Sequence, residues 1–161
     1  MDVKEYNIAV DNNSDAVYRF IMSSIKARDK AKDIVQDTFE KVWINRNNIN
    51  FEKAKSYIFT TAYHTMIDTI RKEKHSTKWN ELDMKTYSHN EQYSDLQEIL
   101  HSAINKLPAD QKSVILLRDY EGYSYQEISE ITGLTEAQVK VYIYRARLFL
   151  KEYIGSVEAV A

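Results

Sequence analysis

Hydrophobic residues in the N-terminal half of the chain recur every three or four positions, which is the spacing of one buried helical face. The first such stripe consists of Val17, Phe20, Ile21 and Ile25. The second and longest stripe consists of Ala31, Ile34, Val35, Thr38, Phe39, Val42 and Trp43. The third stripe consists of Ile58, Ala62, Met66 and Ile70. The pattern therefore predicts three amphipathic helices in this half.

Polar residues between these stripes suggest where the helices begin and end. Any of the polar residues 13–15 would serve as an N-cap for the first helix. The asparagine-rich segment 45–48 favours a loop after the second helix, and a short connection follows over residues 49–55. Ser56 is a candidate N-cap for the third helix, which runs on into a basic stretch that begins at Arg71.

The C-terminal half has the same periodicity in shorter segments. One helix is predicted from Leu96, Ile99, Leu100, Ala103, Ile104 and Leu107. Two more carry the apolar residues 114–117 and the pair Ile128 and Ile131. The last and longest has the stripe Val139, Ile143, Ala146 and Leu150.

Turn and cap residues separate the C-terminal helices. Pro108 suits the first turn of a helix, and Gly122 can end one in the left-handed conformation. Gly133 provides a tight turn between the last two helices. Capping boxes mark the starts of the last two helices, Ser124-x-x-Glu127 for the first of them and Thr135-x-x-Gln138 for the second.

Between the two halves, residues 77–94 are polar and only weakly periodic. A structureless segment of this length is unusual inside one compact domain, so it predicts a flexible linker. The sequence thus indicates an all-α protein with an N-terminal helical domain over residues 1–76 and a C-terminal helix-turn-helix domain over residues 95–161.

The last two helices have the spacing of a helix-turn-helix motif. Small Ser129 lies where the helices would cross closely, and Leu134 would fill the gap between them. With Val139 and Ile143 inward, helical geometry turns a set of long side chains outward, namely Gln138, Lys140, Val141, Tyr144 and Arg145. Such a helix fits the DNA major groove. The alternative is a plain helical hairpin with a solvated basic face.

The third helix combines aromatic and basic residues, which suits base stacking and phosphate binding on single-stranded nucleic acid. The residues concerned are Tyr57, Phe59, Tyr63, His64, Arg71, Lys72 and Lys74. The alternative is that the aromatic residues belong to the core and that the cations complement the helix dipole.

The second helix exposes Asp33, Gln36, Asp37 and Glu40 on one side. A solvated acidic face is one interpretation. The other is a docking surface for a protein partner, in which Phe39 or Trp43 would be the apolar anchor.

Composition narrows the functional classes. The net charge is -2, so nucleic-acid binding would depend on local basic patches, of which residues 71–78 and 136–151 are two. There is no cysteine, no signal-peptide pattern at the N-terminus and no apolar run long enough to insert into a membrane, which predicts a soluble cytoplasmic protein.

No catalytic pattern is present in the sequence. The single E-x-x-H spacing, at Glu98 and His101, lacks the second copy and the additional glutamates that a di-metal bundle needs. Walker, dinucleotide-binding and nucleophile-elbow motifs do not occur. We therefore expect no catalytic residues, no cofactor and no metal.

The order of these segments resembles the extracytoplasmic-function (ECF) sigma factors of the sigma-70 family. Residues 33–43 resemble the polymerase-binding segment, and residues 55–74 resemble the helix that recognises the minus-10 element. The C-terminal match rests on Leu107-Pro108, residues 116–118, 121–125 and 127–128, and the stretch from Val139 to Arg147. The likeness covers nearly the whole chain outside the linker and the tails.

The resemblance implies a factor that directs core RNA polymerase to promoters, with the clamp helices of the largest subunit, the beta-subunit flap, promoter DNA and an anti-sigma factor as partners. It assigns polymerase binding to Asp33, Gln36, Asp37, Phe39, Glu40 and Trp43. It assigns the minus-10 element to Asn47, Lys53, Tyr57, Tyr63, His64, Asp68, Arg71, Lys72 and Lys74, with residues 47–53 forming a pocket for a flipped base. It assigns the minus-35 element to Gln138, Lys140, Val141, Tyr144, Arg145 and Arg147.

This chain departs from the family pattern at His64, Tyr57 and Val141, where Asn, Trp and a small polar residue are common. These differences bear on which promoter sequence is read. A stand-alone helix-turn-helix regulator that binds duplex operator DNA is the alternative function. It would explain the C-terminal half but not the acidic helix followed by an aromatic and basic one.

Overall fold

The computed structural model describes the backbone of residues 1–76 and 95–160, and the side chains of residues 1–74 and 96–156. Within these ranges the regular elements are helical and no strand occurs, as expected for an all-α protein. The N-terminal helices are α1 (Val3–Ile25), α2 (Arg28–Asn45) and α3 (Ala54–Ser76). The C-terminal helices are α4 (Asp95–Asn105), α5 (Ala109–Ile115), α6 (Tyr125–Thr132) and α7 (Glu136–Val160). The predicted linker, 77–94, lies outside the described residues.

Helix α1 begins ten residues before the predicted cap. Asp2 is its N-cap and forms a capping box with Glu5, in which each side chain accepts a hydrogen bond from the other residue's backbone N–H at 2.7 and 3.0 Å. The prediction that the helix starts at residues 13–15 was wrong. Asn13 is buried in mid-helix, where its amide donates to the carbonyl of Ala9 at 2.8 Å.

The connection between α2 and α3 contains regular helical turns where the sequence predicted a loop. Residues 46–48 and 51–53 each form a 3₁₀ turn, and the Asn50 side chain caps the second turn by accepting from the Glu52 N–H at 3.1 Å. Helix α3 therefore starts at Ala54. Ser56 lies inside the helix, so its prediction as the N-cap was wrong.

Three helices of the N-terminal half enclose one apolar core. Phe20 of α1 and Phe59 of α3 are fully buried, and their ring centroids lie 6.0 Å apart. Burial of a side chain of this size stabilises the fold by roughly 1.5–3 kcal/mol. At the edge of the core, Lys41 of α2 donates to the Thr65 hydroxyl of α3 at 3.0 Å.

The C-terminal half packs α7 against α4, α5 and α6. Pro108 precedes α5 as its N-cap, and a π-helical turn over residues 116–120 continues that helix. Gly122 follows with φ of 78°, the left-handed conformation that the sequence predicted. The inward stripe of α7 is buried as expected at Val139, Ile143 and Ala146.

The two halves contact each other directly. Helix α3 packs along α6, and α1 lies beside α5 and the π-helical turn. Among the described residues, two hydrogen-bonded links cross this junction. Arg19 forms a bidentate ion pair with Glu121 at 2.9 and 3.1 Å, and the Lys112 ammonium donates to the Ser24 carbonyl at 2.7 Å.

Candidate nucleic-acid interface

The helix-turn-helix is assembled by the capping and turn residues that the sequence predicted. Ser124 and Glu127 form a capping box at the start of α6, and Thr135 and Gln138 form another at α7. Between the helices, Gly133 takes φ of 80°. In addition, the Ser129 hydroxyl donates to the carbonyl of Leu134 at 2.6 Å, which joins α6 to the turn and fixes the crossing of the two helices.

The outer face of α7 presents long side chains to solvent. Tyr144 is 67% exposed and Val141 is 43% exposed. The predicted minus-35 contacts Gln138, Lys140 and Arg145 are also exposed. An α-helix with exposed long polar side chains on one face can enter a DNA major groove and reach the edges of the bases.

Three side chains on this face have intramolecular partners, because the Lys140 ammonium lies 5.7 Å from the Tyr125 ring centroid and both Arg147 and Gln138 are hydrogen-bonded. Arg147 is ion-paired with Asp119 of the π-helical turn at 2.6 Å, so its guanidinium is already engaged. The Gln138 amide oxygen accepts from the Thr135 N–H at 2.9 Å in the capping box. Each of the three must exchange its partner to reach a base edge.

The acidic face of α2 is continuous and exposed, and it is formed by Asp33, Gln36, Asp37 and Glu40. Beside it, Trp43 is 37% exposed, between the edge of the Tyr6 ring and the Arg46 guanidinium, which lies 3.7 Å from the indole centroid. Phe39 differs from this group because it is only 8% exposed and belongs to the core. Its carbonyl accepts from the Tyr6 hydroxyl at 2.9 Å.

Helix α3 divides its aromatic residues between the surface and the core. Tyr57 is exposed together with His64, Asp68, Arg71, Lys72 and Lys74, which are six of the predicted minus-10 contacts. Phe59 is fully buried, so the core interpretation applies to it and the prediction of base stacking was wrong. Its ring packs against Phe20 on one side and against Tyr123 on the other.

Tyr63 is 5% exposed on the same helix, and its ring contacts the edge of His64. Burial and the Asp110 carboxylate of the C-terminal half together raise the pKa of Tyr63 to about 12. Met66 of the same helix lines a cleft together with Lys112 of α5, so this part of α3 lies close to α5. Tyr63 is thus a buried residue of α3 near the domain junction.

A cavity of about 340 Å³ lies between α1 and the start of α3. Asn12 and Asn13 line it from α1, and Phe51, Glu52 and Lys55 line it from the other side. Asn47 and Lys53, the predicted ends of a base pocket, are exposed on the same connection. The sequence did not point to the contribution of α1, because residues 3–12 were not predicted to be helical.

The junction between the halves has an aromatic centre at Tyr123. Its ring packs edge-on against Phe59 with centroids 5.2 Å apart, and the Lys55 ammonium lies 5.0 Å above it. The Tyr123 hydroxyl is buried without a hydrogen-bond partner among the described residues. Burial, together with Glu121 and Glu127, raises the pKa of Tyr123, so the hydroxyl stays protonated.

Within the described residues, no helix is both long enough and apolar enough to cross a membrane. The same part of the chain contains no cluster of three or more His, Cys, Asp or Glu side chains that could hold a metal ion.

Comparison with known families identifies both halves of the chain. Residues 9–76 match the family model of Sigma-70 region 2, and residues 97–150 match that of Sigma-70, region 4. RNA polymerase sigma factor SigV of Bacillus subtilis is 33% identical over 132 residues, which is 80% of this chain and 78% of the relative. ECF RNA polymerase sigma factor SigM of the same organism is 29% identical over 140 residues, or 84% and 86% of the two chains.

Solved structures give the same result. The sigma factor RpoE of Bartonella quintana, in complex with the anti-sigma factor NepR, has a TM-score of 0.79 and 29% identity. That match covers 95% of this chain and 98% of RpoE. CnrH in complex with the cytosolic domain of CnrY has a TM-score of 0.73 at 21% identity over 96% of this chain and 90% of CnrH, which supports the fold.

Proposed function

The chain belongs to the ECF group of the sigma-70 family of RNA polymerase sigma factors, and from that membership we propose how its two halves divide the work of promoter recognition. The N-terminal domain, residues 1–76, docks on core polymerase and takes up the minus-10 element. The C-terminal domain, residues 95–161, reads the minus-35 element. Residues 77–94 connect them.

Polymerase docking is assigned to the acidic face of α2. Exposure of its carboxylates on one helix face, with Trp43 at the edge, supports an interface that has an aromatic anchor and a charged rim. The partner surface is the clamp helices of the largest subunit. Phe39 would contribute indirectly, because its place in the core holds α2 in position.

Minus-35 recognition is assigned to the outer face of α7. Val141, Tyr144 and Arg145 are free to enter the major groove, and Lys140 would do so by leaving the Tyr125 ring. Arg147 is more suited to a phosphate that competes for it with Asp119. The beta-subunit flap would contact the same domain on another face.

Minus-10 recognition is assigned to the exposed side of α3 and the connection before it. Tyr57 offers a stacking surface, and Arg71, Lys72 and Lys74 offer phosphate contacts for a single strand. The cavity beside residues 47–53 supports the capture of a flipped base near Phe51. Tyr63 would reach the strand only after a rearrangement that exposes it, because it is 5% exposed here.

Control by an anti-sigma factor is part of the proposal, since RpoE, which is 29% identical to this chain, was solved with the anti-sigma factor NepR. A factor of this kind would cover the faces of α2, α3 or α7. The chain itself needs no cofactor, because the polymerase carries out the nucleotide chemistry.

The observation that carries the proposal is the coexistence of an exposed acidic and aromatic face on α2 with an exposed reading face on α7 in one chain. A stand-alone regulator needs only the second face. In vitro transcription with purified core polymerase on genomic fragments, with start sites mapped, tests the proposal directly. Start sites that depend on this protein are expected. A protein that leaves the core inert and binds duplex operator unaided would be a stand-alone regulator.

A further inference from the structure

Lys55 lies where the cavity beside α1 meets the junction of the two domains. It is the second residue of α3, and its side chain is exposed. It lines the cavity of about 340 Å³ together with Phe51 and Glu52. Its ammonium group also lies 5.0 Å from the centroid of the Tyr123 ring, which belongs to the C-terminal domain. One cationic side chain therefore adjoins both the proposed base pocket and the other domain.

The C-terminal domain attracts Lys55 only weakly. The face of an aromatic ring attracts an ammonium group that lies within about 6 Å of its centroid, and the attraction is modest at exposed sites. The pKa of Glu127 is lowered mainly by hydrogen bonds from Ser124, with a smaller contribution from Lys55. Lys55 nevertheless forms no ion pair within the described parts of the chain. A ligand with a full negative charge can therefore draw the ammonium group away from Tyr123.

The lining of the cavity suits a whole nucleotide and not only its base. Lys55 is the only cation among the described residues that line it, while Asn12 and Asn13 add amide groups. Phe51 is 37% exposed and offers a base an aromatic ring to stack on. A base that enters the cavity brings a backbone phosphate with it. A phosphate accepts a charge-assisted hydrogen bond from an ammonium group, which is stronger than the contact of that group with a neutral ring.

We propose that Lys55 binds a backbone phosphate of the single strand whose base enters the cavity, and that Tyr123 competes for the same ammonium group while the domains are packed together. The inference rests on the proposed capture of the minus-10 element, and it adds a residue that the sequence did not assign to that element. Separation of the domains frees Lys55 for the phosphate. The domain junction therefore lowers the affinity of the free chain for single-stranded DNA, and this restraint is lifted once the domains are held apart.

A double-mutant cycle on the full chain tests the competition. The probe is a short fluorescein-labelled single strand of mixed DNA sequence, and fluorescence anisotropy gives its affinity. Tyr123→Leu removes the ring and is expected to strengthen binding about two- to fivefold, the size of an exposed cation–π contact. In a Lys55→Met background, the same substitution is expected to change nothing. Tyr153→Leu is the matched control, because it removes a contact inside the C-terminal domain in which the Lys106 ammonium lies 5.8 Å from the ring centroid. It is expected to bind like the wild type.

The salt dependence of binding tests whether Lys55 contacts a phosphate. For single strands, the slope of log affinity against log salt concentration decreases in magnitude by about 0.7 for each phosphate contact that is lost. Lys55→Met is expected to reduce the slope by this amount and to weaken binding equally for strands of different sequence. Lys4→Met, at an exposed position of α1, is expected to leave the slope unchanged.

Arg19→Met keeps the test informative if Tyr123→Leu fails to fold. It breaks the ion pair with Glu121 without altering the ring or Lys55, and it is expected to strengthen binding as well. The proposal is overturned if neither variant binds the strand more tightly than the wild type, if the gain persists without Lys55, or if Lys55→Met keeps the full salt slope. These measurements need no polymerase, so their failure is distinct from a failure to direct transcription.

Discussion

Phe59 and Tyr123 pack edge to face with their ring centroids 5.2 Å apart, although they belong to different domains of the chain. Phe59 lies on α3, the proposed minus-10 helix, and Tyr123 lies just before α6 of the helix-turn-helix. The contact fixes the two reading domains against each other. Because the Tyr123 hydroxyl has no partner among the described residues, this contact also includes a buried polar group that opposes it.

Removal of that hydroxyl should stabilise the protein. Tyr123→Phe keeps the ring against Phe59 and eliminates an unpaired buried donor, so the free energy of unfolding should rise by about 1 kcal/mol. Urea denaturation followed by circular dichroism measures the change. Tyr144→Phe, at a 67% exposed position, should have no effect. A loss of stability in Tyr123→Phe would mean that the hydroxyl has a hydrogen-bond partner in solution.

The ion pair between Arg19 and Glu121 should hold the domains together. Its carboxylate side chain is only 6% exposed, so its contribution should lie at the upper end of the roughly 0.2–1 kcal/mol typical of exposed pairs. Arg19→Met should increase the population of separated domains. The chain has no cysteine, so spin labels on cysteines introduced at the exposed positions Lys32 and Glu152 would report that distance without background.

The control for this distance measurement is Asp119→Asn, which breaks the pair with Arg147 inside the C-terminal domain. It should leave the distance distribution between the labels unchanged. Equal broadening in both variants would indicate that loosening of the helix-turn-helix, and not of the junction, is being observed.

The sequence predicted which face of each helix is apolar. It did not predict which part of the protein, or which ligand, packs against that face. Val139, Ile143 and Ala146 are buried because a period of three to four residues alone determines which side of α7 is apolar. The same periodicity cannot distinguish an aromatic residue that stacks on a base from one that packs against another domain. Phe59 was predicted to stack on a base but is buried in the core. Tyr63 was predicted in the same way and is also buried.

Helix starts were less predictable than helix faces. The polar residues 13–15 have the composition of a cap, yet α1 continues through them, and Asn13 donates back to Ala9 within the helix. The true cap, Asp2, has only the capping-box partner Glu5 as its local signal. By contrast, the boxes at Ser124 and Thr135 were recognisable because each precedes a clear apolar stripe.

Charge reversal on the acidic face of α2 should impair polymerase binding. Asp37 is exposed at the centre of that face, and Asp37→Lys would place a like charge against a complementary basic surface, so affinity for core polymerase should fall about tenfold or more. Fluorescence anisotropy with labelled protein measures it. Asp11→Lys, an equal charge change on the exposed side of α1, should bind core normally. The interface would lie elsewhere if the two variants weakened binding equally.

Binding of the minus-35 element by the outer face of α7 should depend on Arg145 more than on Arg147. Arg145 is exposed and has no ion-pair partner among the described residues, so Arg145→Ala should weaken minus-35 binding by about 1–3 kcal/mol if it contacts a base. Footprinting of the reconstituted holoenzyme gives the effect. Arg147→Ala removes a side chain already paired with Asp119 and should cost less. An unchanged footprint for Arg145→Ala would remove it from the set of reading residues.

Lys112 should make stability increase with pH in the mildly alkaline range. Its pKa is about 8 in the folded protein against 10.5 for the free side chain, because burial and the neighbouring Lys26 oppose its charge. Both states carry the proton below pH 8. Between about pH 8 and 10.5 the unfolded chain retains a proton that the folded chain has released, so the free energy of unfolding rises as pH rises.

The effect should be isolated by comparison with Lys112→Met between pH 7.5 and 9.5, using urea denaturation at constant ionic strength. The increase that depends on Lys112 should amount to about 1 kcal/mol over this interval, since partial exposure of the side chain weakens the shift. His101 titrates below this range, and the raised pKa of Tyr63 acts above it. If the wild type and Lys112→Met have parallel pH profiles, the Lys112 ammonium is fully solvated, and the junction is open in solution.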